Sequence, residues 1–532
     1  MKAKYLIMSI AMLSVTVGCT DLNVDIKSQY TSFPDNDRAI EAKAASAYYY
    51  MRGPIGRNYN QAQTLSSDEA TTFSFNGSDY YDQGQRIHFA LHSWNADDAL
   101  IGYYDDATAG ITACNKLITE LGGDNVKATA SLRAMRAYYH WVLMDSYGDT
   151  PILDHSLAET EAVDRSPRAD VAKWIESELL AVLDKLPTNV DASTYGKPTR
   201  WMAEALLAKL YLNWAVYTCG DVTKYTPTMK NEKLNACVKM CDDIIASGKF
   251  DLSDDFLKKF YPDNGYQIKD FIYAMPFDPD IDPGMTYARF WTHRSGNKTF
   301  YGVDLPNSVG GCIAMNPEFV DKYCLKGDER NESFVGGPLF VRDPSTYKAT
   351  TTPWMIDGQQ VTLTKTITLD KLDETMPVDN TAHGGRSQGY RSIKFYMDLS
   401  LTKSQERRQG NDVPIFRYAD ILLEKAEAIM RGATATNGDT PASPMNQIRA
   451  YVHAPSVVGT PTLDDLLDER AREFADENWR RNDLIRFGKF EDDWGYKHII
   501  NPSAKTQLFR RIFPIPTATL KTNTNWKQNP EY

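Results

Sequence analysis

Two short motifs have the residue types and spacing of catalytic sites. Gly385–Gly389 fits the G-x-S-x-G pattern, which in hydrolases places a nucleophilic serine on a turn between a strand and a helix. Here the loop-like segment Asp379–His383 precedes the serine and a strand-like segment follows it, so the context is wrong for such a turn. His88 and His92 are four residues apart, but Phe89 stands where a zinc protease requires a glutamate. Neither motif predicts an enzyme.

An acidic loop has the residue types of a calcium site. Asp278, Asp280 and Asp282 alternate along the chain, which places three carboxylates on one side of an extended or looped segment, and Ca²⁺ prefers such oxygen ligands. Pro279 and Pro283 interrupt the spacing and no glutamate completes it, so a calcium loop is only half present. We interpret Asp278, Asp280 and Asp282 as solvated loop carboxylates, with a structural calcium ion as the alternative, and expect no required cofactor.

The cysteines are too few for a disulfide framework. There are seven in 532 residues. Cys237 and Cys241 are four residues apart on a predicted helix and share a face, but no second His or Cys pair lies nearby in the sequence to complete a zinc site. We interpret both as small buried apolar side chains.

The N-terminus has the features of an export signal. Lys2 and Lys4 precede an apolar run, Leu6–Val17, that is too short to span a bilayer. The run ends at Thr16–Cys19, which resembles a bacterial lipobox, although Thr16 stands where leucine is usual. We predict a signal peptide over residues 1–18, acylation of Cys19 and a tether over residues 19–35. The alternative is an ordinary secretory signal in which this cysteine is incidental.

Composition excludes some partners of the mature chain. The net charge is −11 and the sequence contains no concentrated basic cluster, which argues against nucleic acid because phosphate binding requires one. No segment after the signal is long and apolar enough to cross a membrane. We therefore expect contact with the membrane through the lipid anchor only, since two or more acyl chains hold a protein stably on a bilayer.

The elements that must position these residues are mostly helical. Apolar periodicity predicts antiparallel helix pairs of the tetratricopeptide-like kind. Gly148–Pro151 is a helix stop, because glycine accepts a left-handed cap and proline cannot continue a helix. Ser166 is predicted to cap the next helix, with Pro167 at its first position. The predicted helices are 37–51, 103–121, 128–147, 171–186, 199–217, 234–246, 416–430 and 463–487.

Between the two helical parts, the composition changes to Gly, Pro, Asn, Thr and aromatic residues. Only short strand-like runs occur there, such as 362–369 and 391–398. Loops of this size in a compact protein usually serve function. We predict a single domain over residues 36–532, with a helical scaffold at about 36–255 and 411–532. An irregular, loop-rich insertion with short strands at about 256–410 is predicted to bind the ligand.

Several segments, in this order, resemble the SusD/RagB family of nutrient-binding lipoproteins from Bacteroidetes. The resemblance runs over most of the mature chain. Each motif alone is weak, but their order is specific. The motifs are Leu132–Tyr139 leading to Tyr147–Pro151, Gly196–Thr199 with Ala203–Leu212, Pro414–Leu423 with Ala426–Ala428, Asn446–Arg449, Glu469–Phe474, Arg480–Phe487, Pro514–Pro516 and Gln528–Tyr532. Asp420 stands where the family usually has glutamate.

The resemblance implies a non-catalytic outer-membrane lipoprotein, facing the cell exterior, that captures a nutrient for a SusC-like TonB-dependent transporter. The ligand that we expect from the resemblance is an oligosaccharide or polysaccharide, with a peptide or another nutrient as the alternative within the family. We interpret the charged residues of the motif helices as ion pairs and caps that fix helix packing. These residues are Arg417, Glu427, Arg470, Glu473 and Asp483.

For a neutral sugar, we expect flat aromatic platforms next to amide, carboxylate or arginine hydrogen-bonding groups. Trp94, Asn95 and Trp291 are the first choice, with the alternative that these tryptophans only pack the irregular region. The other predicted ligand-binding residues are Phe75, Tyr80, Tyr81, Arg289 and Tyr301.

Two other functions stay open at this point. A surface glycoside hydrolase needs only two carboxylates a few ångströms apart, and 70 acidic residues conceal any such pair. A structural scaffold whose helical array binds another protein is the third class.

Overall fold

The computed structural model describes residues 37–532 except 73, 76–84, 125–126, 159, 281–283, 368–376, 379–380 and 406–407. It separates an N-terminal unit that ends at Lys43 from a second unit, Ala44–Tyr532. The predicted signal peptide, Cys19 and the tether lie outside the described residues. The single predicted domain over residues 36–532, with its scaffold and insertion, stays a prediction.

The helices dominate the second unit. The α-helices are α1 Asp37–Ala45, α2 Arg52–Gly56, α3 Asn58–Leu65, α4 Gln85–Ala90, α5 Tyr103–Glu120, α6 Ala130–Tyr147, α7 Arg168–Val182, α8 Arg200–Leu212, α9 Trp214–Thr218, α10 Leu234–Ala246, α11 Tyr287–Trp291, α12 Pro317–Val320, α13 Tyr418–Met430, α14 Ala442–Tyr451, α15 Leu463–Phe474, α16 Arg480–Phe487, α17 Lys497–Ile500 and α18 Thr517–Thr522. Short 3-10 turns are Ala99–Ile101, Lys127–Thr129, Leu183–Lys185, Val222–Lys224, Lys258–Phe260, Glu329–Ser333, Gly385–Ser387, Pro502–Thr506 and Leu508–Arg511.

The strands are short and pair two by two. They are β1 Ala70–Thr72, β2 Ser74–Phe75, β3 Phe271–Met275, β4 Ile313–Met315, β5 Phe334–Val335, β6 Gly337–Pro338, β7 Phe340–Arg342, β8 Ala349–Pro353, β9 Met355–Ile356, β10 Gln359–Gln360, β11 Thr362–Leu363, β12 Pro377–Val378, β13 Arg391–Ser392 and β14 Val413–Arg417. The pairs are β1–β4, β3–β14, β5–β13, β6–β11, β7–β8 and β9–β10, all antiparallel, and β2–β12, which is parallel.

Successive helices of the scaffold pack side by side. Helix α5 packs on α6, α6 on α7, α8 on α10, and α10 on α13, which in turn contacts α14 and α15. This arrangement confirms the predicted mostly α, helix-pair fold. No helix in the described ranges is long and apolar enough to span a bilayer.

Helix boundaries follow local capping chemistry. Helix α6 ends at Gly148, whose φ of +79° is the left-handed region that favours glycine. Helix α7 differs from the prediction: it begins at Arg168, with Pro167 at the cap position and no side-chain cap from Ser166. The carboxylate of Asp149 accepts the Arg168 N–H at 2.8 Å instead. The acidic residue of the preceding stop therefore caps the next helix.

Two predicted helices are split. The run 199–217 breaks at Asn213 into α8 and α9, and the run 463–487 breaks between α15 and α16. Asp476 and Asn478 in the second break have φ of +64° and +72°. These backbone conformations turn the chain sharply, and a helix cannot continue through them.

The insertion has an apolar cluster of its own beside the main core. Its buried members are Ala288, Phe300, Tyr301, Val309, Leu339, Trp354, Val361, Leu363, Tyr396 and Met397. Four of these residues are aromatic: Phe300, Tyr301, Trp354 and Tyr396. Aromatic packing therefore organises a region that has little regular secondary structure.

Candidate functional site

Trp94 lies in the core and presents no ring face to a ligand. Its side chain is 1% exposed, stacks on Phe89 at 5.5 Å between ring centroids and meets Phe513 edge-on at 5.2 Å. The indole N–H donates to the hydroxyl of Tyr532 at 2.8 Å. The prediction of a sugar platform at Trp94 is corrected by this burial, because stacking requires an exposed ring face.

Trp291 and Tyr301 are also packing residues. Trp291, at the end of α11, is 4% exposed and borders a small cavity together with Asp476. Tyr301 is 1% exposed, and its hydroxyl lies 2.6 Å from that of Thr292. Both predicted platforms are corrected for the same reason: Trp291 packs in the main core and Tyr301 in the cluster of the insertion.

Asn95 is exposed and sits in a tight turn. Its side-chain oxygen accepts the Asp97 N–H at 2.9 Å, and its own N–H donates to the carboxylate of Asp98 at 2.8 Å. Phe75 has a described backbone only, in strand β2. Tyr80 and Tyr81 lie outside the described residues. Ligand contacts by Asn95, Phe75, Tyr80 and Tyr81 stay predictions.

Arg289 belongs to a group of three arginines around one ring. The guanidinium carbons of Arg57, Arg86 and Arg289 lie 5.5, 4.8 and 5.1 Å from the ring centroid of Phe290. Arg86 is buried and donates to the side chain of Gln61 at 2.7 Å, whereas Arg289 is partly exposed. Guanidinium groups in such a position can donate to sugar hydroxyls, so the prediction for Arg289 stands as a prediction.

Sequence reasoning missed a group of tyrosines in the insertion. Tyr261 and Tyr347 meet edge-on at 4.6 Å, and both contact the buried Tyr396, at 5.7 and 4.7 Å. The first two rings are partly exposed. The sequence feature that could have indicated Tyr347 is the turn-forming segment Asp343–Thr346, which places a tyrosine at the tip of a hairpin.

Two cavities lie in the scaffold. One of about 500 Å³ is bordered by Tyr225, Met229 and Arg431, and another of about 290 Å³ by Tyr217 and Phe509. Among the described residues that border the larger one, Tyr225 is the single aromatic side chain, and it is 5% exposed. It therefore lacks an open ring face of the kind on which sugars stack.

The acidic loop is partly described. A carboxylate oxygen of Asp278 accepts the Asp280 N–H at 2.8 Å, and one of Asp280 accepts the side-chain amide of Gln405 at 2.8 Å. Asp282 lies outside the described residues. The calcium site at these three aspartates stays a prediction.

Glu424 lies next to the cysteine pair. The ligand atoms of Cys237, Cys241 and Glu424 are within 4.8 Å of one another, and all three residues are buried. The ammonium group of Lys209 already pairs with the Glu424 carboxylate at 2.5 Å. The cysteines are therefore buried side chains, as the sequence predicted.

The serine of the G-x-S-x-G motif faces a histidine, but in the wrong arrangement for catalysis. Ser387 Oγ lies 3.4 Å from His293 Nε2 and donates to the carbonyl of Ala382 at 2.6 Å. His293 Nδ1 accepts the Ser295 N–H at 3.1 Å, which places the ring proton on Nε2. A protonated Nε2 cannot take a proton from the serine. Burial lowers the pKa of His293 to about 3, and the ring is packed in the interior.

The histidine pair also has separate partners. His88 Nδ1 contacts the carboxylate of Asp98 at 2.8 Å, and His92 Nε2 contacts the carbonyl of Ser66 at 3.0 Å. The two rings thus do not share a ligand position in the way that a zinc motif requires.

Glu69 and Asp476 are two neighbouring carboxyls that a hydrolase interpretation has to consider. Both line a small cavity with Trp291 and Tyr323, and burial raises the pKa of both, that of Asp476 to about 7. Within the described chain, one oxygen of each has no hydrogen-bond partner. The residues are 4% and 2% exposed, so a sugar cannot reach them in this structure.

Family models match both parts of the chain. A model described as the SusD family matches residues 269–532, and one described as "Starch-binding associating with outer membrane" matches residues 21–212. A starch-binding protein SusD from Bacteroides thetaiotaomicron is 24% identical over 471 residues, which cover 84% of this chain and 79% of the relative.

Solved structures match over the same length. A SusD superfamily protein from Parabacteroides distasonis has a TM-score of 0.69 at 20% identity, and the match covers 93% of this chain and 99% of the other. Surface glycan-binding protein A from Bacteroides thetaiotaomicron, solved in complex with laminarihexaose, has a TM-score of 0.67 at 18% identity, covering 93% and 99%.

Proposed function

Because the chain belongs to the SusD family, we propose that it is a surface lipoprotein that binds a glycan and delivers it, uncleaved, to a TonB-dependent outer-membrane transporter. The observation that carries the proposal is that two models of this kind match both the helical scaffold and the insertion. The relatives named for starch binding and for a laminarihexaose complex support a glycan ligand over a peptide.

Geometry supports binding rather than turnover. The Ser387–His293 pair lacks the proton acceptor that a nucleophilic serine needs, and the Glu69–Asp476 pair is closed to a substrate. Partly exposed tyrosines of the insertion, in contrast, offer ring faces on which a sugar can stack. These features favour a binding protein over the glycoside hydrolase alternative.

The soluble chain that begins after Cys19 tests this proposal. It is run against a panel of polysaccharides and oligosaccharides by affinity electrophoresis and calorimetry, and the products are analysed by chromatography. Binding without product is the expected result. Released sugar would overturn the proposal in favour of a hydrolase, and no binding across neutral and anionic glycans would overturn the glycan ligand.

The membrane attachment is a separate part of the proposal. Acyl groups on Cys19 hold the mature chain on the outer membrane, with the body facing the exterior. Full-length protein is expected to appear in the outer-membrane fraction and to incorporate labelled fatty acid, whereas Cys19→Ser is expected to do neither. A Cys19→Ser variant that keeps its label and its location would contradict the anchor.

The transporter partner is tested on anchored protein. A tagged chain, solubilised from outer membranes in mild detergent, is expected to co-purify with a SusC-like TonB-dependent transporter. Its absence from material that retains the acylated chain would contradict this partner, and would leave a scaffold for another protein as the better alternative.

A structural calcium ion at Asp278, Asp280 and Asp282 is also proposed. Three carboxylates on one loop suit this hard cation. Calcium is expected to raise the melting temperature of the chelator-treated protein, and Asp280→Asn is expected to remove that increase. An equal increase in the variant would exclude this loop as the site.

A further inference from the structure

The tyrosines missed by sequence reasoning form one packed cluster of the insertion, of which Tyr261 and Tyr347 reach the surface. Tyr347 lies between Tyr261 and Tyr396, with ring centroids at 4.6 and 4.7 Å. Tyr396 is 1% exposed and packs on the buried Tyr301 at 5.3 Å. The buried pair supports the partly exposed pair from beneath, so the outer rings have little freedom to move.

The backbone fixes Tyr347 at the tip of the β7–β8 hairpin. One carboxylate oxygen of Asp343 accepts the N–H groups of Ser345 and Thr346 at 2.8 and 2.9 Å, and the Tyr347 N–H donates to the Asp343 carbonyl. Arg342 donates from Nε to the Tyr347 carbonyl at 2.9 Å. Tyr347 itself has a φ of +60°, which is unusual for a bulky residue. Such a conformation persists only where the surroundings hold it, and it occurs preferentially at ligand sites.

Carboxylates surround the exposed rings. Burial, followed by the charges of Asp263 and Asp398, raises the pKa of the Tyr347 hydroxyl. Burial, followed by Asp255 and more weakly by Glu332, raises the pKa of Tyr261 to about 12. Both phenols are therefore neutral at physiological pH and can donate a hydrogen bond.

The charge of this surface selects among ligands. Asp255, Asp263, Glu332 and Asp398 repel uronic acids and sulfated sugars. Arg342, a cation that acts on the pKa of Tyr261, donates a hydrogen bond within the hairpin. A neutral sugar has apolar C–H faces for the rings and hydroxyls for the carboxylates. A peptide side chain would need a pocket, and the adjacent cavity beside Asp398 measures only about 10 Å³.

We propose that Tyr261 and Tyr347 form a stacking platform for a neutral glycan, with the exposed carboxylate of Asp263 as a hydrogen-bond acceptor. This inference rests on the proposed glycan-binding function and assigns to it a surface and a class of sugar. The site is an open platform rather than a closed pocket, so it suits a segment within a long chain as well as a chain end.

Calorimetry with the soluble chain tests the platform. Laminarin and amylose serve as neutral probes, and polygalacturonate and a sulfated galactan serve as anionic probes. Tyr347→Ala and Tyr261→Ala are each expected to weaken binding of the neutral probe by about tenfold or more, the loss expected for one aromatic contact and its hydrogen bond. Tyr347→Phe is expected to keep most of the affinity, because it retains the ring.

A matched control lies in the same loop. Tyr266 is 57% exposed, and no ring contact to the platform is described for it. Tyr266→Ala is expected to bind as the unaltered chain does. Melting temperatures accompany each variant, and Tyr347→Asn replaces the alanine variant if the latter is unstable, since asparagine tolerates positive φ.

The possible results distinguish a failure of the proposed platform from a failure of the proposed glycan-binding function. Binding of a neutral probe that survives both alanine substitutions overturns the platform and leaves glycan binding intact. Preference for an anionic probe overturns the neutral class. If the unaltered chain binds none of the probes, the proposed function and the platform fail together.

Discussion

The C-terminal helices and the insertion are held together by different kinds of contact. In the helices, charged side chains are buried and paired with one another. In the insertion's own cluster, the buried side chains are aromatic and aliphatic. The first arrangement ties each residue to particular partners, whereas the second leaves ring faces at the surface that a ligand can use.

Arg417, at the end of β14, shows the first kind of contact. Its guanidinium donates to the carboxylates of Glu477 at 2.7 Å, Asp270 at 2.6 Å and Glu473 at 2.8 Å. The side chain is buried, as are all three partners. Lys394 of the insertion contacts Glu477 at 2.5 Å. One buried network thus joins the scaffold to the insertion.

The largest effect is expected from breaking this network. Arg417→Met removes the cation and leaves three buried carboxylates without it, which is expected to lower the free energy of unfolding by about 3–5 kcal/mol. Urea denaturation measures the change. Lys173→Ala breaks an exposed pair with Asp170 and is expected to cost less than about 1 kcal/mol. Equal losses in the two variants would contradict the contrast between buried and exposed pairs.

Trp94 separates packing from ligand binding. Trp94→Ala removes a buried ring and is expected to cost about 3 kcal/mol of stability, from the lost contacts and the cavity left behind. Tyr532→Phe removes only the hydroxyl that accepts from the indole and is expected to cost about 1 kcal/mol. Neither variant should weaken glycan binding at a temperature where it is folded. If Trp94→Ala lowered the affinity for the glycan without lowering stability, Trp94 would have to be counted among the ligand-binding residues.

A pH effect is expected at the carboxyl pair between scaffold and insertion. Burial raises the pKa of Asp476 from 3.8 to about 7. A group whose pKa is raised by folding contributes its full stabilising free energy at a pH below the pKa that it has in the unfolded chain. This contribution is lost as the pH rises through the pKa that the group has in the folded protein. Between pH 5.5 and 7.5, Asp476 should therefore lose about 2 kcal/mol of stabilising free energy.

Asp476→Asn is the variant that isolates this effect. Asparagine suits the φ of +64° and keeps an oxygen that can accept from Asn60. The charged groups that act on the carboxyl are Glu69, Lys394 and Glu477, all of which remain. Thermal denaturation across this pH range should show a flatter dependence in the variant. Parallel curves would mean that other groups carry the pH response.

The two regions also differ in how far sequence alone predicts them. Helix α10 was predicted over its whole length, and the paired charges Arg417, Glu427, Arg470, Glu473 and Asp483 were correctly interpreted as ion pairs of the scaffold. Helical periodicity and charge pattern depend on residues that are close in the sequence. They therefore predict these parts of the scaffold correctly, because local structure determines the packing there.

The candidate site was harder to predict because burial depends on distant residues. Trp94 is covered by Tyr532, which is 438 positions away, and no spacing rule connects them. Tyr347 lies in a turn, where periodicity carries no information about exposure. The aromatic and polar composition of the insertion did indicate a binding region, but it could not tell which rings face inward.

The smallest effect on stability is expected at Tyr347, where the insertion should tolerate change. Tyr347→Asn loses ring contacts with Tyr261 and Tyr396 but relieves a backbone conformation that is unfavourable for tyrosine. Because the two effects oppose each other, the free energy of unfolding should change by less than about 1 kcal/mol. Affinity for a neutral glycan should nevertheless fall. A loss of stability as large as that of Arg417→Met would mean that this surface holds the insertion together, as the buried network does, and is not available to a ligand.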